Sequence, residues 1–430
     1  MARLVLATLG SYGDLFPYIT LGRALAARGH SVVLATSPSH EPSVTAAGLA
    51  FHALHPDIDV SDRALMQSLM GQLRGSERVV KMVLEMTRQN YADLDAAVAN
   101  ADFLLTHPLT FAGPLIARKR PSLRWASSVL APLSFFSAYD PPLMPAAPWA
   151  SALLRLLGPE ATRKANGAMK RITARWLGPL HQLAGDLGLT LDAHPLFEGQ
   201  HANDLVLGLY SAVLGPPQPD FPPKAVITGF LFNDSTPPGL EASAEEAHAF
   251  AAAGEPPIVV TLGSSAVRVD GRVFAETVAI GRRTIALVGP EPGAVEPYRG
   301  MRHVLAIPYL PHSVVMPLAS VIVHQGGVGT TGQALRAGRP AIIVPFSHDQ
   351  PDNAARCARL GIAKVIPRAR YNRRTAQAAI QELLGDPSYA TRAAAVGASV
   401  RAERGAETAC DAIEGLLRDT VPKSSTRRTA

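Results

Sequence analysis

A glycine-rich turn between an apolar run and a helical segment constrains the fold of this chain more than any other feature. The stretch 324–332 reads HQGGVGTTG, follows the apolar residues 321–323 and leads into the helical pattern of 332–337. Such a turn presents free backbone N–H groups at the positive end of a helix dipole, where phosphate binds. A second polar cluster, FSHDQPDN at 346–353, follows the apolar run 341–344. Both are expected at carboxyl ends of strands, and together they suggest a nucleotide-linked ligand that carries hydroxyl groups.

Length and composition set the broad class. The 430 residues favour two domains, and a hydrophobic content of 47% supplies apolar surface for two cores. No uncharged apolar run reaches about 18 residues, so we expect no transmembrane helix. The N-terminus enters a strand pattern directly, so we expect no signal peptide and a cytoplasmic location. Two cysteines, Cys357 and Cys410, are too few for a disulfide scaffold or a zinc site.

The charge pattern argues against nucleic-acid binding. The net charge is +6, without a concentrated basic stripe with interleaved aromatics, and aromatic residues make up only 6% of the chain. The positive excess instead suits solubility, an anionic donor molecule or loose attachment to an anionic membrane surface.

Strand and helix patterns alternate in both halves, which predicts an α/β protein with two Rossmann-like, doubly wound parallel sheets. In the first half we expect strands at 3–9, 31–35, 102–106 and 125–130, and helices at 17–28 and 77–100. In the second half we expect strands at 258–262, 284–288, 303–307, 320–323 and 341–344, with helices between 374 and 417.

Proline-rich sequence marks the expected boundary between the two halves. The stretch 215–225 contains GPPQPDFPP and is the predicted linker, because prolines hold a segment extended. The N-terminal domain is then 1–214 and the second domain 226–405. A helix over 406–420 and a disordered polar, basic tail over 421–430 complete the prediction.

The first strand-to-helix loop, GSYGDLFP at 10–17, carries a carboxylate, Asp14. Its glycine spacing does not match GxGxxG, and Asp14 would lie where a pyrophosphate sits in a dinucleotide-binding protein. A Rossmann dehydrogenase is therefore disfavoured. Asp14 either caps the following helix or serves as a general base.

In the second-half turn, Gly326, Gly327 and Gly329 allow the backbone to approach an anion closely. Thr330 either caps the helix or bonds a phosphate oxygen, and His324 can donate to the same anion. The alternative is a tight strand-to-helix turn without a ligand.

Two further strand ends carry polar or aromatic residues. Ser264 and Ser265 either face the diphosphate or stabilise a turn. In the segment that holds Tyr309, Leu310 and His312, the tyrosine either stacks on a nucleobase or is a partly buried aromatic residue.

The cluster at 346–353 offers a carboxylate beside an amide, Asp349 and Gln350. This pair suits bidentate hydrogen bonding to vicinal hydroxyls, and the alternative is a loop followed by a helix cap. The segment 133–148 is rich in aromatic residues and proline and lacks periodicity, which predicts an irregular loop that lines an apolar pocket.

Together these motifs carry a family resemblance. HQGGVGTTGQAL, AIIVPFSHDQPDNAARCARLG and the N-terminal GSYGDLFPYITLGRALAARGHSV resemble the UDP-glycosyltransferase-like family of inverting glycosyltransferases. The likeness is greatest to its bacterial branch, which includes a rhamnosyltransferase of rhamnolipid synthesis, sterol glucosyltransferases and enzymes that decorate natural products. It implies a GT-B fold, in which two Rossmann-like domains face each other across a cleft. The N-terminal domain would bind the acceptor, the second domain the nucleotide-sugar, and the last helix would return to the N-terminal domain.

The resemblance also assigns roles. Asp14 falls where bacterial members carry the catalytic Asp, and Asp349 with Gln350 matches the pair that holds the donor sugar. Tyr309 falls where the family stacks an aromatic residue on the nucleobase, and His312 where it often has Gln. Many bacterial relatives read HHGG, whereas the second position here is Gln325, so it stays open which of the two side chains contacts phosphate.

The resemblance therefore predicts transfer of a hexose or deoxyhexose from a UDP- or TDP-sugar to a hydroxyl group of an apolar, lipid-like or natural-product acceptor. No Asp-x-Asp pair marks a magnesium site, so we expect no metal and no cofactor besides the nucleotide-sugar. A nucleotide-sugar 2-epimerase and a non-catalytic binding protein stay open as alternatives. The residues expected at the acceptor pocket are Tyr12, Phe135, Phe136, Tyr139 and Met144.

Overall fold

Two parallel β-sheets form the framework of the molecule, which we describe from a computed structural model covering residues 1–72, 74–144, 147–234 and 239–418. The strands of the first sheet are β1 Arg3–Ala7, β2 Ser31–Thr36, β3 Ala50–Ala53, β4 Phe103–Thr106, β5 Arg124–Val129, β6 Val206–Gly208 and β7 Ala225–Ile227. The strands of the second sheet are β8 Ile258–Thr261, β9 Thr284–Leu287, β10 Val304–Ile307, β11 Val321–His324, β12 Ala341–Ile343 and β13 Ala363–Val365.

Helices cover both sheets. Those of the first half are α1 Tyr12–Ala27, α2 Glu41–Ala46, α3 Arg63–Leu69, α4 Gly75–Glu85, α5 Thr87–Ala97, α6 Gly113–Lys119, α7 Pro148–Leu157, α8 Pro159–Thr173 and α9 Gly178–Asp186. Those of the second half are α10 Glu241–Ala252, α11 Gly263–Ala266, α12 Arg272–Val278, α13 His312–Val315, α14 Val328–Ala337, α15 Gln350–Arg359, α16 Arg373–Gly385, α17 Pro387–Ala402 and α18 Gly405–Arg418.

The apolar strand sequences follow from burial on both faces of each sheet. In β1, Leu4 and Leu6 join one core cluster, whereas Val5 and Ala7 join the cluster on the opposite face. Successive side chains of a strand point to opposite faces, so a strand that is covered on both sides is apolar throughout. The continuous apolar runs found in the sequence are therefore central strands of helix-covered sheets.

Both sheets reverse their strand order at one point. The first runs β3-β2-β1-β4-β5-β6-β7 and the second β10-β9-β8-β11-β12-β13, with parallel pairing throughout. The reversals lie between β1 and β4 and between β8 and β11. Loops diverge from the carboxyl ends of the strands at such points and leave a crevice where ligands bind. We therefore expect the loops after these four strands to border a ligand-binding site.

Two helices differ from the sequence prediction. The helix expected at 17–28 begins earlier, at Tyr12, because Ser11 and Asp14 form a capping box that starts it before Pro17. The helix expected over 77–100 is divided into α4 and α5 at Met86. Local capping decides where α1 starts, and the apolar periodicity that we used does not report it.

The chain passes between the halves close to the predicted linker. β7 pairs with β6, so residues 225–227 belong to the first sheet, and the predicted boundary at 225 falls inside this strand. The last helix, α18, packs on α1, where Arg28 contacts Asp411 at 2.6 Å and Glu414 at 3.1 Å. The end of the predicted helix 406–420, at 419–420, and the predicted tail 421–430 lie outside the described residues.

Candidate functional site

Asp14 lies in the first turn of α1, directly after the loop that follows β1. Its Oδ2 accepts hydrogen bonds from the Ser11 backbone N–H at 2.8 Å and from the Ser11 hydroxyl at 3.2 Å. The carboxylate folds back over the loop, and a Cβ on Gly10 would lie 2.2 Å from it, which requires glycine there at a φ of 138°. The capping role expected as one alternative is therefore present, while the side chain stays 30% exposed.

His107 lies next to the other oxygen of Asp14. This buried residue follows β4, and its Nε2 is 3.5 Å from Asp14 Oδ1. Its Nδ1 accepts the backbone N–H of Leu109 at 3.2 Å, so the proton of the neutral ring is on Nε2 and faces the carboxylate. Burial opposes ionisation of Asp14, but His107 and the hydrogen bonds from Ser11 hold the pKa of Asp14 below its usual value.

The glycine-rich turn at 324–332 faces the segment that carries Asp14. The helix α14 has Gly327 as N-cap without a side-chain cap, and its first bond to that residue comes from Thr331 N–H at 2.8 Å. The amides of Val328, Gly329 and Thr330 precede this bond and have no intrahelical acceptor. They lie at the positive end of the helix dipole, an arrangement that binds phosphate.

The side chains of His324 and Gln325 support this turn from within. The Nδ1 of His324 accepts the N–H of Gly326 at 3.1 Å, and burial, with His312 nearby, lowers the pKa of His324 to about 3. The amide of Gln325 donates to the Thr330 hydroxyl at 3.3 Å, while its Oε1 is buried without a partner. Neither side chain offers a positive charge to an anion, so the backbone amides of the turn are the principal donors.

Asn353 joins the glycine-rich turn to Asp349. Its amide donates to the Gly326 carbonyl at 2.9 Å and to Asp349 Oδ2 at 2.7 Å. Burial raises the pKa of Asp349 to about 7; the hydrogen bond from Asn353 opposes the rise, and the negative charge of Asp14 adds to it. Asp14, which comes from the first half of the chain, therefore contributes to the raised pKa of Asp349.

Gln350 and His348 hold the loop that carries Asp349. The Oε1 of Gln350 accepts hydrogen bonds from the backbone N–H groups of Phe346 at 2.8 Å and Ser347 at 3.2 Å. Gln350 was predicted to bind the donor sugar, and this side-chain oxygen already has two backbone partners. His348 takes a left-handed conformation at a φ of 58° and contacts the Ser76 hydroxyl of the first half at 3.1 Å. Strained backbone of this kind is often found at functional sites.

The N-termini of α1 and α14 face each other closely. A Cβ built on Gly329 would lie 3.9 Å from the Cα of Gly13. The short helix α11, which carries the predicted diphosphate ligands Ser264 and Ser265, also packs against α1. The segment that carries Asp14, the N-terminus of α14 and the helix that carries Ser264 and Ser265 thus lie close together where both sheets reverse their strand order.

The residues predicted for the nucleobase are divided between surface and core. Tyr309 is exposed at 43%, and partial burial, with a smaller contribution from Tyr12, raises the pKa of its hydroxyl. Leu310 is fully buried, and the structure places it in the core. The Nε2 of His312 lies 3.3 Å from the Thr261 hydroxyl, and burial lowers the pKa of His312 to about 4.

The aromatic residues predicted for the acceptor pocket are also divided. Phe135 is buried and stacks on Phe221 at 4.0 Å, so it belongs to the core rather than to a pocket wall. Phe136 packs on Phe197 at 4.4 Å, and Tyr12 stacks on Phe16 at 5.3 Å.

The remaining two acceptor residues lie on the irregular loop between β5 and α7. Tyr139 is exposed beside Arg163, and Met144 is half-buried. Residues 145–146 of this loop lie outside the described residues.

Two features of the described ranges concern metal binding and membrane spanning. No group of three or more His, Cys, Asp or Glu side chains there is arranged to hold a metal ion. Among the helices that the structure describes, none has both the length and the apolar run needed to cross a bilayer.

His107 and Asn353 were missed by the sequence reasoning. His107 had one available signal, its position directly after the apolar run 103–105, which is a strand end of the kind that carried the other motifs. Asn353 was interpreted only as part of a helix start, and its contacts depend on how α15 packs against the turn.

Two family profiles match the two ends of the chain. The Glycosyltransferase family 28 N-terminal domain matches residues 4–113, and the Erythromycin biosynthesis protein CIII-like, C-terminal domain matches residues 296–414. The O-mycaminosyltylonolide 6-deoxyallosyltransferase of Streptomyces fradiae is 32% identical over 425 residues, which cover 96% of this chain and 97% of that protein.

Two further similarities extend over the whole chain. The sterol 3-beta-glucosyltransferase of Pichia angusta is 27% identical over 96% of this chain, which spans 33% of that protein. The glycosyltransferase SsfS6 of Streptomyces sp. SF2575, complexed with thymidine diphosphate, has a TM-score of 0.61 at 19% identity, covering 96% of this chain and 100% of that one. At that identity the likeness bears on the fold alone, and the predicted GT-B fold class is confirmed.

Proposed function

This chain belongs to the UDP-glycosyltransferase-like family of glycosyltransferases, and on that basis we propose that it transfers a deoxyhexose or hexose from a TDP- or UDP-sugar to a hydroxyl group of an apolar acceptor, with inversion at the anomeric carbon. The observation that carries the proposal is the close approach of the Asp14 segment to the N-terminus of α14, where a Cβ on Gly329 would lie 3.9 Å from the Cα of Gly13. A proton acceptor and a diphosphate cradle from different halves face the same small volume.

The proposed reaction is a single displacement. The acceptor oxygen attacks the anomeric carbon while Asp14 Oδ1 takes the hydroxyl proton, since Oδ2 is engaged by Ser11. The bond from the anomeric carbon to the diphosphate oxygen breaks, and the leaving diphosphate gains negative charge. The amides of Val328, Gly329 and Thr330 and the dipole of α14 stabilise that charge. Attack on the face opposite the leaving group inverts the configuration.

The names of the relatives favour a TDP-linked deoxyhexose and an apolar polycyclic or macrocyclic acceptor. The Streptomyces fradiae relative, which matches over 97% of its own length, is named for deoxyallosyl transfer to O-mycaminosyltylonolide, and SsfS6 was solved with thymidine diphosphate. The sterol 3-beta-glucosyltransferase also acts, by name, on an apolar alcohol. We propose the same donor class and acceptor class for this chain.

Incubation with donor and acceptor tests the reaction directly. A TDP-deoxyhexose with a macrolactone alcohol should give a glycoside whose anomeric configuration, read by NMR coupling constants, is opposite to that of the donor. An isomer of the donor formed without an acceptor would instead identify an epimerase. Retention of configuration would refute the single displacement.

Nucleoside diphosphates should stabilise the protein against heat. At about 100 times its dissociation constant, a diphosphate should raise the free energy of unfolding by about 2.7 kcal/mol, because it binds only the folded state. We expect TDP to shift the melting temperature more than UDP or GDP in a thermal-shift panel. Gly329→Leu should abolish the shift by filling the space before the amides.

Gly415→Leu is the matched control, because Gly415 is also helical and has open space around it but lies in α18. It should keep the full shift. Equal shifts for all three diphosphates would contradict the proposed preference for TDP. A shift that survives Gly329→Leu would contradict the proposed cradle.

His107 is proposed as a positioning residue that keeps Asp14 ionised. Replacement by Leu removes the Nε2–H donor and should raise the pKa of Asp14, so the acid limb of kcat/KM against pH should move to higher pH. The sign follows because the reaction needs ionised Asp14 and fails below its pKa. Gln, which keeps an N–H donor, should restore part of the shift. An unchanged acid limb in His107→Leu would remove this role.

We propose that no metal ion takes part in the transfer, since the backbone amides of the turn and the dipole of α14 meet the charge of the diphosphate. Turnover should survive dialysis against EDTA and should not respond to added Mg²⁺. A loss of turnover that Mg²⁺ restores would show that a cation supplies part of this stabilisation.

A further inference from the structure

The helix α7 carries an apolar stripe that faces outward. Trp149, Leu156 and Leu157 are 69%, 83% and 60% exposed, and Leu153 is exposed as well. Spacings of three, four, seven and eight residues place these four on one helical face, and we call them the apolar stripe. Ser151 is buried on the other side. A helix of a globular domain normally buries such a stripe, so its exposure marks an interaction surface.

Positive charge is concentrated beside this stripe. The helices α7 and α8 pack on each other and are joined at Gly158. The segment 148–176 contains six Lys and Arg residues and one acidic residue, so it carries nearly all of the +6 net charge of the whole chain. The hairpin is therefore strongly basic, with a net charge of +5.

Part of this charge is left without acidic partners. Arg155 and Lys170 pair with Asp140 and Glu198. Lys164, Arg171 and Arg175 are exposed, and we call them the basic face. Seven residues separate Lys164 from Arg171, so these two cations share one side of α8.

We propose that the α7–α8 hairpin docks on the surface of an anionic lipid bilayer, with the apolar stripe inserted among the headgroups and the basic face against lipid phosphates. A helix with Trp and Leu on one side and cations close by has the composition of an interfacial helix. Anionic lipid adds an attraction of about 1 kcal/mol, or about fivefold in affinity, for each cation near the surface.

A second copy of the chain is a less suitable occupant of this surface. Two apolar stripes facing each other would bring two positively charged hairpins together, and like charges oppose that contact. The location also favours lipid, because α7 follows the loop that bears Tyr139 and Met144, and Arg155 donates to the Pro141 carbonyl at 3.0 Å. Docking would set the proposed acceptor side beside the phase in which an apolar acceptor dissolves. The docking itself does not depend on the proposed transfer reaction.

Vesicle flotation with the full chain tests the proposal. The protein should float with vesicles of phosphatidylcholine and phosphatidylglycerol in equal parts, should bind phosphatidylcholine alone much less, and should be released by high salt. Leu156→Glu with Leu157→Glu should weaken binding at least about tenfold, because the inserted surface becomes charged. Lys164→Gln with Arg171→Gln should remove most of the dependence on phosphatidylglycerol.

Tryptophan fluorescence gives a residue-specific readout. Anionic vesicles should shift the emission to the blue, and Trp149→Phe should lose that shift although Trp125 and Trp176 remain. Leu384→Glu is the matched control, since Leu384 is an exposed leucine on α16, and it should bind as the native chain does.

Three outcomes would overturn the docking surface. They are absence of flotation by the native chain, equal flotation of the Leu156→Glu, Leu157→Glu variant, and a dimer in light scattering that this variant dissociates. The last would assign the stripe to a second copy. Both leucines are exposed, so the variant should fold and keep a near-native melting temperature. Its turnover with a water-dispersed acceptor should also be near-native, which would separate a loss of docking from a loss of catalysis.

Discussion

Replacing Asp14 by Asn should lower turnover by about 100-fold or more while leaving the fold intact. General-base catalysis typically contributes that factor, and an amide cannot take a proton from a hydroxyl at neutral pH. Asn still accepts the Ser11 N–H that Asp14 Oδ2 accepts at 2.8 Å, so the start of α1 is retained. The measurement is kcat with saturating donor and acceptor, beside the melting temperature and the TDP-induced shift.

Two control variants separate the cap from the base. Ser11→Ala removes part of the capping box but keeps the carboxylate, so it should cost about 0.5–2 kcal/mol of stability and reduce turnover far less than Asp14→Asn. Asp62→Asn makes the same chemical change at the cap of α3, where Asp62 accepts the Leu65 N–H at 3.0 Å, and should leave turnover unchanged. Near-native turnover of a folded Asp14→Asn protein would exclude Asp14 as the base.

The fold is predictable because burial on both faces makes central strands apolar without interruption. The predicted strand 258–262 and the observed β8 differ by one residue, and 125–130 and β5 differ by one at each end. Starts of helices were less predictable, since α1 starts at the capping box of Ser11 and Asp14, ahead of its apolar periodicity. Patterns of burial report sheets well, whereas helix ends depend on single hydrogen bonds.

The candidate site was predictable where its geometry depends on backbone conformation. The turn at 324–332 needs glycine for its geometry, so its sequence marks its position; Gly326 has a φ of 91°, and a Cβ there would lie 3.0 Å from the Gln350 carbonyl. His107 carries no such signature. It meets Asp14 only because β4 pairs with β1, a neighbour relation that lies in the strand order rather than in the local sequence.

Aromatic and apolar side chains misled the sequence reasoning for a related reason. Leu310 and Phe135 lie beside residues of the predicted site, yet both are buried in the core. The same side chains suit a ligand pocket and a domain core, and proximity along the chain does not tell which side of a loop they occupy.

A buried ion-pair network ties the acceptor-side loop to the second half. Arg356 bonds Asp352 at 2.6 Å, with side chains 2% and 0% exposed, and it also contacts Asp140 of the loop. Asp352 Oδ1 accepts the backbone N–H of Leu143 at 2.8 Å. Asp352 and Asp140 therefore share one buried guanidinium, which joins the two halves about two helical turns beyond Asp349.

Arg356→Met should accordingly destabilise the protein by about 3–5 kcal/mol, because it leaves the fully buried Asp352 without its cation. Arg359→Met is the matched control on the same helix, since Arg359 approaches the same Asp140 at 3.5 Å but is 40% exposed, and it should cost less than about 1 kcal/mol. Urea unfolding followed by far-UV circular dichroism gives both values. Equal losses of unfolding free energy in the two variants, or no loss in Arg356→Met, would contradict the prediction that burial makes the Arg356–Asp352 pair important for stability.

The double variant Arg356→Met, Asp352→Asn should be more stable than Arg356→Met alone, because it no longer has an uncompensated buried charge.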